Sequence, residues 1–188
     1  YEDTGKIPSK AKIAKVIEEH FYLRYASDSV TERLKVGAMK SLSKYVKMWE
    51  KDFSLSVKTE RPFELEFDNA LIAGSIDMIK REDGNETVLE VIDFKTGKAD
   101  NDLMHKYELQ VQLYTIAAQE ALGINTQKAL IHFIDTDKNE RLAVQTSPAA
   151  LETAKEELSF ALQGITKATF KRDARQDKIC KSCDWCTI

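Results

Sequence analysis

Five side chains near the middle of this 188-residue chain have the types and spacing for hydrolytic chemistry. Asp77 and Asp93 interrupt two runs rich in Val, Ile and Leu, namely Leu71–Ile79 and Thr87–Lys95, with Asp83-Gly84 between them as a turn signal. Lys95 follows Asp93 by two residues, so the pleat of a strand puts both on one face. Gln110 and Tyr114 stand four apart and are neighbours on one side of a helix.

A carboxylate inside an apolar run is costly unless it is paired or bound to a metal. Two of them on adjacent strands, with an ammonium beside one, describe a small site for a divalent cation and a developing oxyanion. Carboxylate and carbonyl oxygens are hard ligands suited to Mg2+ or Mn2+. Such an ion lowers the pKa of a bound water and polarises a phosphoryl oxygen, while a lysine places the water or offsets transition-state charge. Asp93-Phe94-Lys95 is the one place in the chain with an acid two residues ahead of a lysine, where composition alone gives roughly three. The plainer alternative is a strand-end Asp–Lys pair with Asp77 capping a turn. It leaves Gln110 and the order of the motifs unexplained.

That order is Gly74-x-x-Asp77, then Asp93-Phe94-Lys95, then Gln110-x-x-x-Tyr114. It resembles the PD-(D/E)XK nuclease superfamily, and within it the RecB-like exonuclease branch. The words Glu60-Arg-Pro-Phe-Glu-Leu and Ile92-Asp-Phe-Lys-Thr-Gly-Lys98 fit as well, so the resemblance runs from Val57 to Ala118. It implies an α/β fold with a restriction-endonuclease-like core. It implies that Asp77 and Asp93 bind Mg2+ or Mn2+ with the Phe94 carbonyl as a further ligand, and that Lys95 acts in catalysis. Gln110 and Tyr114 would brace the site or contact DNA. Glu60 would serve as a ligand through water or as a partner for Lys95. The implied activity is a metal-dependent DNA nuclease, an exonuclease working with a helicase in repair or recombination. The alternative is a nuclease-like module that binds DNA or a helicase without cutting.

Two features of the family are matched only in part. RecB-like enzymes carry a metal-binding histidine on an N-terminal helix, but His20 in Ile17-Glu-Glu-His20 does not match that word and is read as an ordinary histidine. The matching segment is expected upstream. Some members hold an iron–sulfur cluster on three C-terminal cysteines and one distant cysteine. Cys180, Cys183 and Cys186 echo this, yet they are the only three cysteines in the chain. A cluster or Zn2+ therefore needs a fourth ligand from elsewhere in a longer protein.

The elements that must position these residues follow from periodicity. Ser9 is expected to cap a helix over Lys10–Ala26, with Ile13, Ile17 and Phe21 inward, and Thr31 a second over Glu32–Lys51. The lysines at 35, 40, 44, 47 and 51 of that second helix read as a solvated face. Strand alternation starts at Phe53. Pro62–Asp68, Leu71–Ile79 and Thr87–Lys95 should form an antiparallel meander, because their connections are short, with Asn69-Ala70 as a tight turn. A helix from Asp100–Asp102 to Leu122, closed by Gly123, then crosses over. It makes Lys128–Asp135 parallel to the Asp93 strand and gives a mixed sheet flanked by helices. Arg141–Gln145 returns as an edge strand, and Ser147-Pro148 opens a last helix to Gly164. Lys98 reads as an exposed loop lysine, His105 and Lys106 stand in the first turn of the crossover helix within possible reach of a substrate, and His132 reads as a satisfied core histidine.

The chain is read as one domain over 1–188, with N-terminal helices in 1–52, the catalytic sheet in 53–146 and a helix and cysteine tail in 147–188. A hydrophobic content of 43% and charged content of 31% suit a folded globular protein. The net charge of −3 means that any nucleic-acid surface must be local. No apolar run has the length of a membrane span and no signal peptide opens the chain. Cysteines confined to the tail argue against a disulfide framework, so a reducing cytoplasm is expected. A first residue of Tyr suggests a piece of a longer polypeptide.

Overall fold

Apolar alternation in the middle third of the chain builds one five-stranded sheet, and helices cover both of its faces. The computed structural model describes residues 5–97 and 101–169. Its elements are α1 (Lys10–His20), α2 (Asp28–Met48), α3 (Glu50–Leu55), β1 (Ser56–Phe67), β2 (Ala70–Glu82), β3 (Asn85–Lys95), α4 (Asn101–Glu120), β4 (Thr126–Phe133), β5 (Arg141–Val144) and α5 (Pro148–Thr166). The strands lie in sequence order, so β1 and β5 are the edges. β1, β2 and β3 form the expected antiparallel meander. α4 crosses over and sets β4 parallel to β3, pairing Asp93 with Ile131 and Lys95 with Phe133, and β5 returns antiparallel.

The core lies between the sheet and α4. Val111, Ile116, Ala117 and Ala118 of α4 pack with Ile79, Val91, Ile131 and Phe133, and with Phe63 and Leu65 of β1. Burying each large side chain of this set stabilises the fold by about 1.5–3 kcal/mol. Leu151 and Ala154 of α5 close the outside of α4. No helix among the described residues is long and apolar enough to cross a membrane.

Several boundaries depart from the sequence expectation, each for a local reason. Ser9 does cap α1, accepting the Lys12 N–H at 3.2 Å, but the helix ends at His20 because Phe21 turns extended. Only Ile13 and Ile17 are buried on it. α2 begins after Ser27 rather than Thr31, whose N–H is already bonded to the Ser27 carbonyl at 2.9 Å. α2 breaks at Trp49, whose indole N–H is held by Asn139 at 2.7 Å and whose ring lies 3.6 Å from the Arg141 guanidinium. The chain restarts as α3, so Phe53–Leu55 is helical despite its strand-like alternation. The β1–β2 turn is Asp68-Asn69, one residue earlier than expected, with φ of 47° and 60°. Two successive left-handed residues match the twist of a tight hairpin. Of the five α2-side lysines, three are not simply solvated. Lys35 pairs with Glu18, Lys51 with Asp83, and Lys44 donates to the carbonyls of Thr136 and Asp137.

The face of the sheet turned to α2 and α3 buries polar groups in a closed network. Asp52 of α3 meets Arg141, Lys80 at 3.5 Å and the Tyr45 hydroxyl at 3.2 Å. Lys80 also pairs with Glu90, directly across the β2–β3 ladder, at 2.8 Å. Two acids and two bases cancel, which is the condition for tolerating buried charge. His132 accepts from Arg141 Nε at Nδ1 (3.1 Å), so its Nε2 carries the proton and donates to Asn139 (2.7 Å). It is thus the satisfied core histidine expected, wedged among Tyr45, Trp49 and Phe94. Burial, with Arg141 adding to it, pushes its pKa down to about 4, against the opposing pull of Asn139 and Asp52.

Two outcomes follow. Asp52→Ala takes the carboxylate from Arg141 and leaves Lys80 with Glu90, and should cost about 3–5 kcal/mol in urea unfolding. His132 is neutral in the fold and takes a proton more readily when unfolded. Stability is therefore full above the unfolded pKa of 6.5 and falls as pH drops toward about 4, by about 3 kcal/mol from this group. Unfolding free energies across that window should flatten in His132→Gln.

Candidate active site

The ladder joining β2 to β3 stops at Met78 and Ile92. One step further stand Asp77 and Asp93, and there a side chain takes over from the backbone. Asp77 Oδ2 accepts the Phe94 N–H at 2.7 Å. The Phe94 ring points to the other face, where it meets Tyr45 edge-on at 5.6 Å. Asp93 and Lys95 point together toward α4, as their spacing of two requires. Past Lys95 the chain is pinned to the end of β4. Ile134 N–H donates to the Lys95 carbonyl at 3.1 Å, and Gly97 N–H to Asp135 at 2.7 Å. Gly97 has φ of 95°, which favours glycine.

Lys95 is the hub. Its Nζ lies 2.8 Å from Asp93 Oδ2, donates to Gln110 Oε1 at 2.7 Å, and sits 5.0 Å from the Tyr107 ring centre. Gln110 Nε2 in turn donates to the Tyr114 hydroxyl at 2.7 Å. The polar residue on the apolar stripe of α4 therefore has partners at both ends. Tyr114 packs edge-on to Phe63 at 5.9 Å. Phe63 lies across Gly74, where an added Cβ would come within 2.8 Å of the ring. Gly74 thus belongs to the motif for packing reasons.

Asp93 is 1% exposed, and burial holds its carboxyl above the usual range; Lys95 pulls it down and Asp77 pushes it further up. Its Oδ2 is buried and, apart from the ion pair with Lys95, no donor meets it with hydrogen-bond geometry. Burial likewise raises Tyr114, opposed by the Gln110 hydrogen bond. Buried anionic oxygen of this kind asks for a cation. Two carboxylates on adjacent strands fit Mg2+ or Mn2+, since Mg2+ is commonly held by one or two carboxylates and completed by water and phosphate. The donor set goes no further. Among the described residues no three His, Cys, Asp or Glu side chains gather. Glu60 falls between the Thr59–Met78 and Arg61–Ile76 pairs of the β1–β2 register, but it is exposed, has φ of 46°, and joins no such group.

The structure thus brings together Asp77, Asp93, Lys95, Gln110 and Tyr114, and leaves Glu60 outside. His20 is exposed at the end of α1, and His105, also exposed, pairs with Glu157 at 2.9 Å. Lys98, Cys180, Cys183 and Cys186 lie outside the described residues. Tyr107 completes the site and stands outside the sequence expectations. Its signal was its place three residues before Gln110 and seven before Tyr114, on the same stripe.

The sequence model of the PD-(D/E)XK nuclease superfamily matches residues 5–188. No curated protein matches significantly. Among solved structures, a presumptive exonuclease from Eubacterium rectale superposes with a TM-score of 0.58 at 11% identity, over 95% of this chain and 68% of its own. The crystal structure of SSO0001 aligns over 100% of this chain and 82% of its own at 18% identity, with a TM-score of 0.48. With the mixed sheet and its flanking helices, the Eubacterium rectale protein meets the expectation of a restriction-endonuclease-like α/β fold.

A divalent ion held at Asp77 and Asp93 should raise the thermal midpoint. At about 100-fold excess over its dissociation constant it stabilises by about 2.7 kcal/mol. Differential scanning fluorimetry with Mn2+ should show this shift in the parent and lose it in Asp77→Asn and Asp93→Asn.

Proposed function

The chain belongs to the PD-(D/E)XK nuclease superfamily, and on that footing we propose that it is a Mg2+- or Mn2+-dependent deoxyribonuclease that hydrolyses phosphodiester bonds. We read it further as an exonuclease of the RecB-like branch, acting beside a helicase in DNA repair or recombination. One observation carries the reading. Two aspartates of neighbouring strands converge with a lysine whose ammonium is fixed by two acceptors.

Asp77, Asp93 and the Phe94 carbonyl would hold the ion. When bound, it supplies a Lewis acid that acidifies water and polarises a phosphoryl oxygen. The protein's own part is positioning. An ammonium has three N–H donors, and Asp93 and Gln110 occupy two of those of Lys95. The third serves the attacking water or a phosphoryl oxygen as charge builds on it, and the side chain keeps 17% exposure for that contact. Gln110 and Tyr114 stop the ammonium from swinging away, which keeps the attack in line. The exonuclease reading draws on the motif resemblance; the Eubacterium rectale protein lends a likeness of fold.

The absence of a third gathered acid among the described residues favours a second reading, a module that binds DNA without cutting. Cleavage of end-labelled DNA with Mn2+ separates the two. Lys95→Ala, Asp77→Ala and Asp93→Ala should each lower the rate by roughly 100-fold or more while circular dichroism stays unchanged. Parent-like cutting in any of the three would sink the assignment. A folded parent that binds DNA and never cuts it supports the second reading.

A further inference from the structure

A lysine does not aim itself. Its ammonium rides on a flexible four-carbon stem, and its rotatable donors give it no fixed direction. In the site above, Asp93 Oδ2 and Gln110 Oε1 engage Lys95 Nζ at 2.8 Å and 2.7 Å. Two anchors fix its height but leave it free to tilt about the line that joins them. A ring stands beside that line. Tyr107 of α4 sets its ring centre 5.0 Å from Nζ, inside the roughly 6 Å over which an aromatic face attracts a cation.

The ring is itself held. Tyr107 meets Phe133 edge-on, with ring centres 6.2 Å apart and planes at 64°. Phe133 is fully buried and is the β4 residue paired with Lys95 across the β3–β4 ladder. Tyr107 also stands three residues before Gln110, so one face of α4 delivers both contacts to the ammonium. An aliphatic side chain could pack on Phe133 just as well. It would strip water from the ammonium and return no attraction. Among apolar groups, an aromatic ring offers a negative face. The position thus answers two demands at once, packing on β4 and company for a charge.

We infer that Tyr107 is a positioning residue for Lys95. Its ring closes the side of the ammonium that Asp93 and Gln110 leave open to tilting, and so keeps the remaining N–H on station for a phosphoryl oxygen or the attacking water. What the ammonium does there rests on the nuclease reading above; the hold of the ring on it does not.

The test joins steady-state cleavage of end-labelled DNA with Mn2+ to a spectrum that needs no cutting. The proteins are the parent, Tyr107→Leu and Tyr107→Phe, with Lys95→Ala alone and combined with Tyr107→Leu. Leucine keeps an apolar contact for Phe133, and circular dichroism checks the fold. Should it fail to fold, Tyr107→Met, with its adaptable chain, takes its place. Tyr107→Leu should lower kcat roughly tenfold, the size of a partly desolvated cation–π contact, and leave KM unchanged. Tyr107→Phe should restore the parent rate. Once Lys95 is alanine, Tyr107→Leu should cost nothing more, because the two act as a unit. In a nitrogen-edited proton spectrum, the Lys95 ammonium signal, identified by its loss in Lys95→Ala, should be displaced by the ring current in the parent and Tyr107→Phe. In Tyr107→Leu it should return to the ordinary lysine position.

Parent-like kcat in Tyr107→Leu, a phenylalanine variant as slow as the leucine one, or an equal loss with Lys95 already gone would overturn the inference. So would a raised KM with kcat intact, which would make the ring a DNA contact, or a Lys95 signal indifferent to the ring. A parent that never cuts removes the nuclease reading, and the spectrum then decides alone: a ring-dependent signal upholds the hold on Lys95 and an unmoved one overturns it. A parent that cuts no faster than Tyr107→Leu upholds the nuclease and removes the positioning role.

Discussion

The Lys95 ammonium sets the constraint that the rest of the site obeys. It lies in the seam between the sheet and α4, next to a carboxylate that is almost fully buried. A charge pair there is tolerated only if its geometry is closed, because desolvation of each ion costs several kcal/mol. Closure comes from three elements at once. β3 supplies Asp93, α4 supplies Gln110 and Tyr107, and the β3–β4 register fixes the height at which they meet. Moving α4 by one turn, about 5.4 Å, would strand the ammonium. Packing of Val111, Ile116 and Ala117 against the sheet is thus also what aims the lysine.

The two faces of the sheet handle charge in opposite ways. Toward α2 and α3, Asp52, Arg141, Lys80 and Glu90 cancel one another, and the polar atoms of His132 and Asn139 are satisfied. That face is finished, and its product is a rigid floor under Phe94. Toward α4, Asp93 and Asp77 leave anionic capacity that one lysine does not fill. The unfinished face is where a reacting group has reason to bind. Phe94 joins the two: its ring is gripped by Tyr45 and His132 on one side while its amide anchors Asp77 on the other.

The sheet was readable because period-two alternation and short connections leave little choice. The meander, the crossover and the parallel β4 all follow from Phe63, Leu65, Val91 and Ile131 falling on inward positions. The gathering of Asp77, Asp93 and Lys95 was readable for the same reason, since polar residues in apolar strands must face one another or a ligand. What escaped depended on contacts distant in sequence. Nothing local ends α2 at Trp49; the stop comes from Asn139 and Arg141, some ninety residues on. Glu60 alternates like a strand residue, yet its left-handed backbone leaves it exposed. Tyr107 drew no expectation, because its contact with Lys95 is through ring electrons, which leave no mark in a hydrogen-bonding pattern.

Among the described residues β1 is an edge strand with no neighbour on its outer side. A long open edge is a template on which further chains can add, the first step toward fibrils. Here that edge carries Lys58, Glu60, Arg61, Pro62, Glu64 and Glu66 within nine residues. The proline removes a donor and the charges repel an in-register copy, so this sheet is guarded against growing into an aggregate. The hinge at Glu60 twists the strand further away from flatness. Resistance to self-templated assembly is therefore built into the same strand whose inner face packs Phe63 against Tyr114.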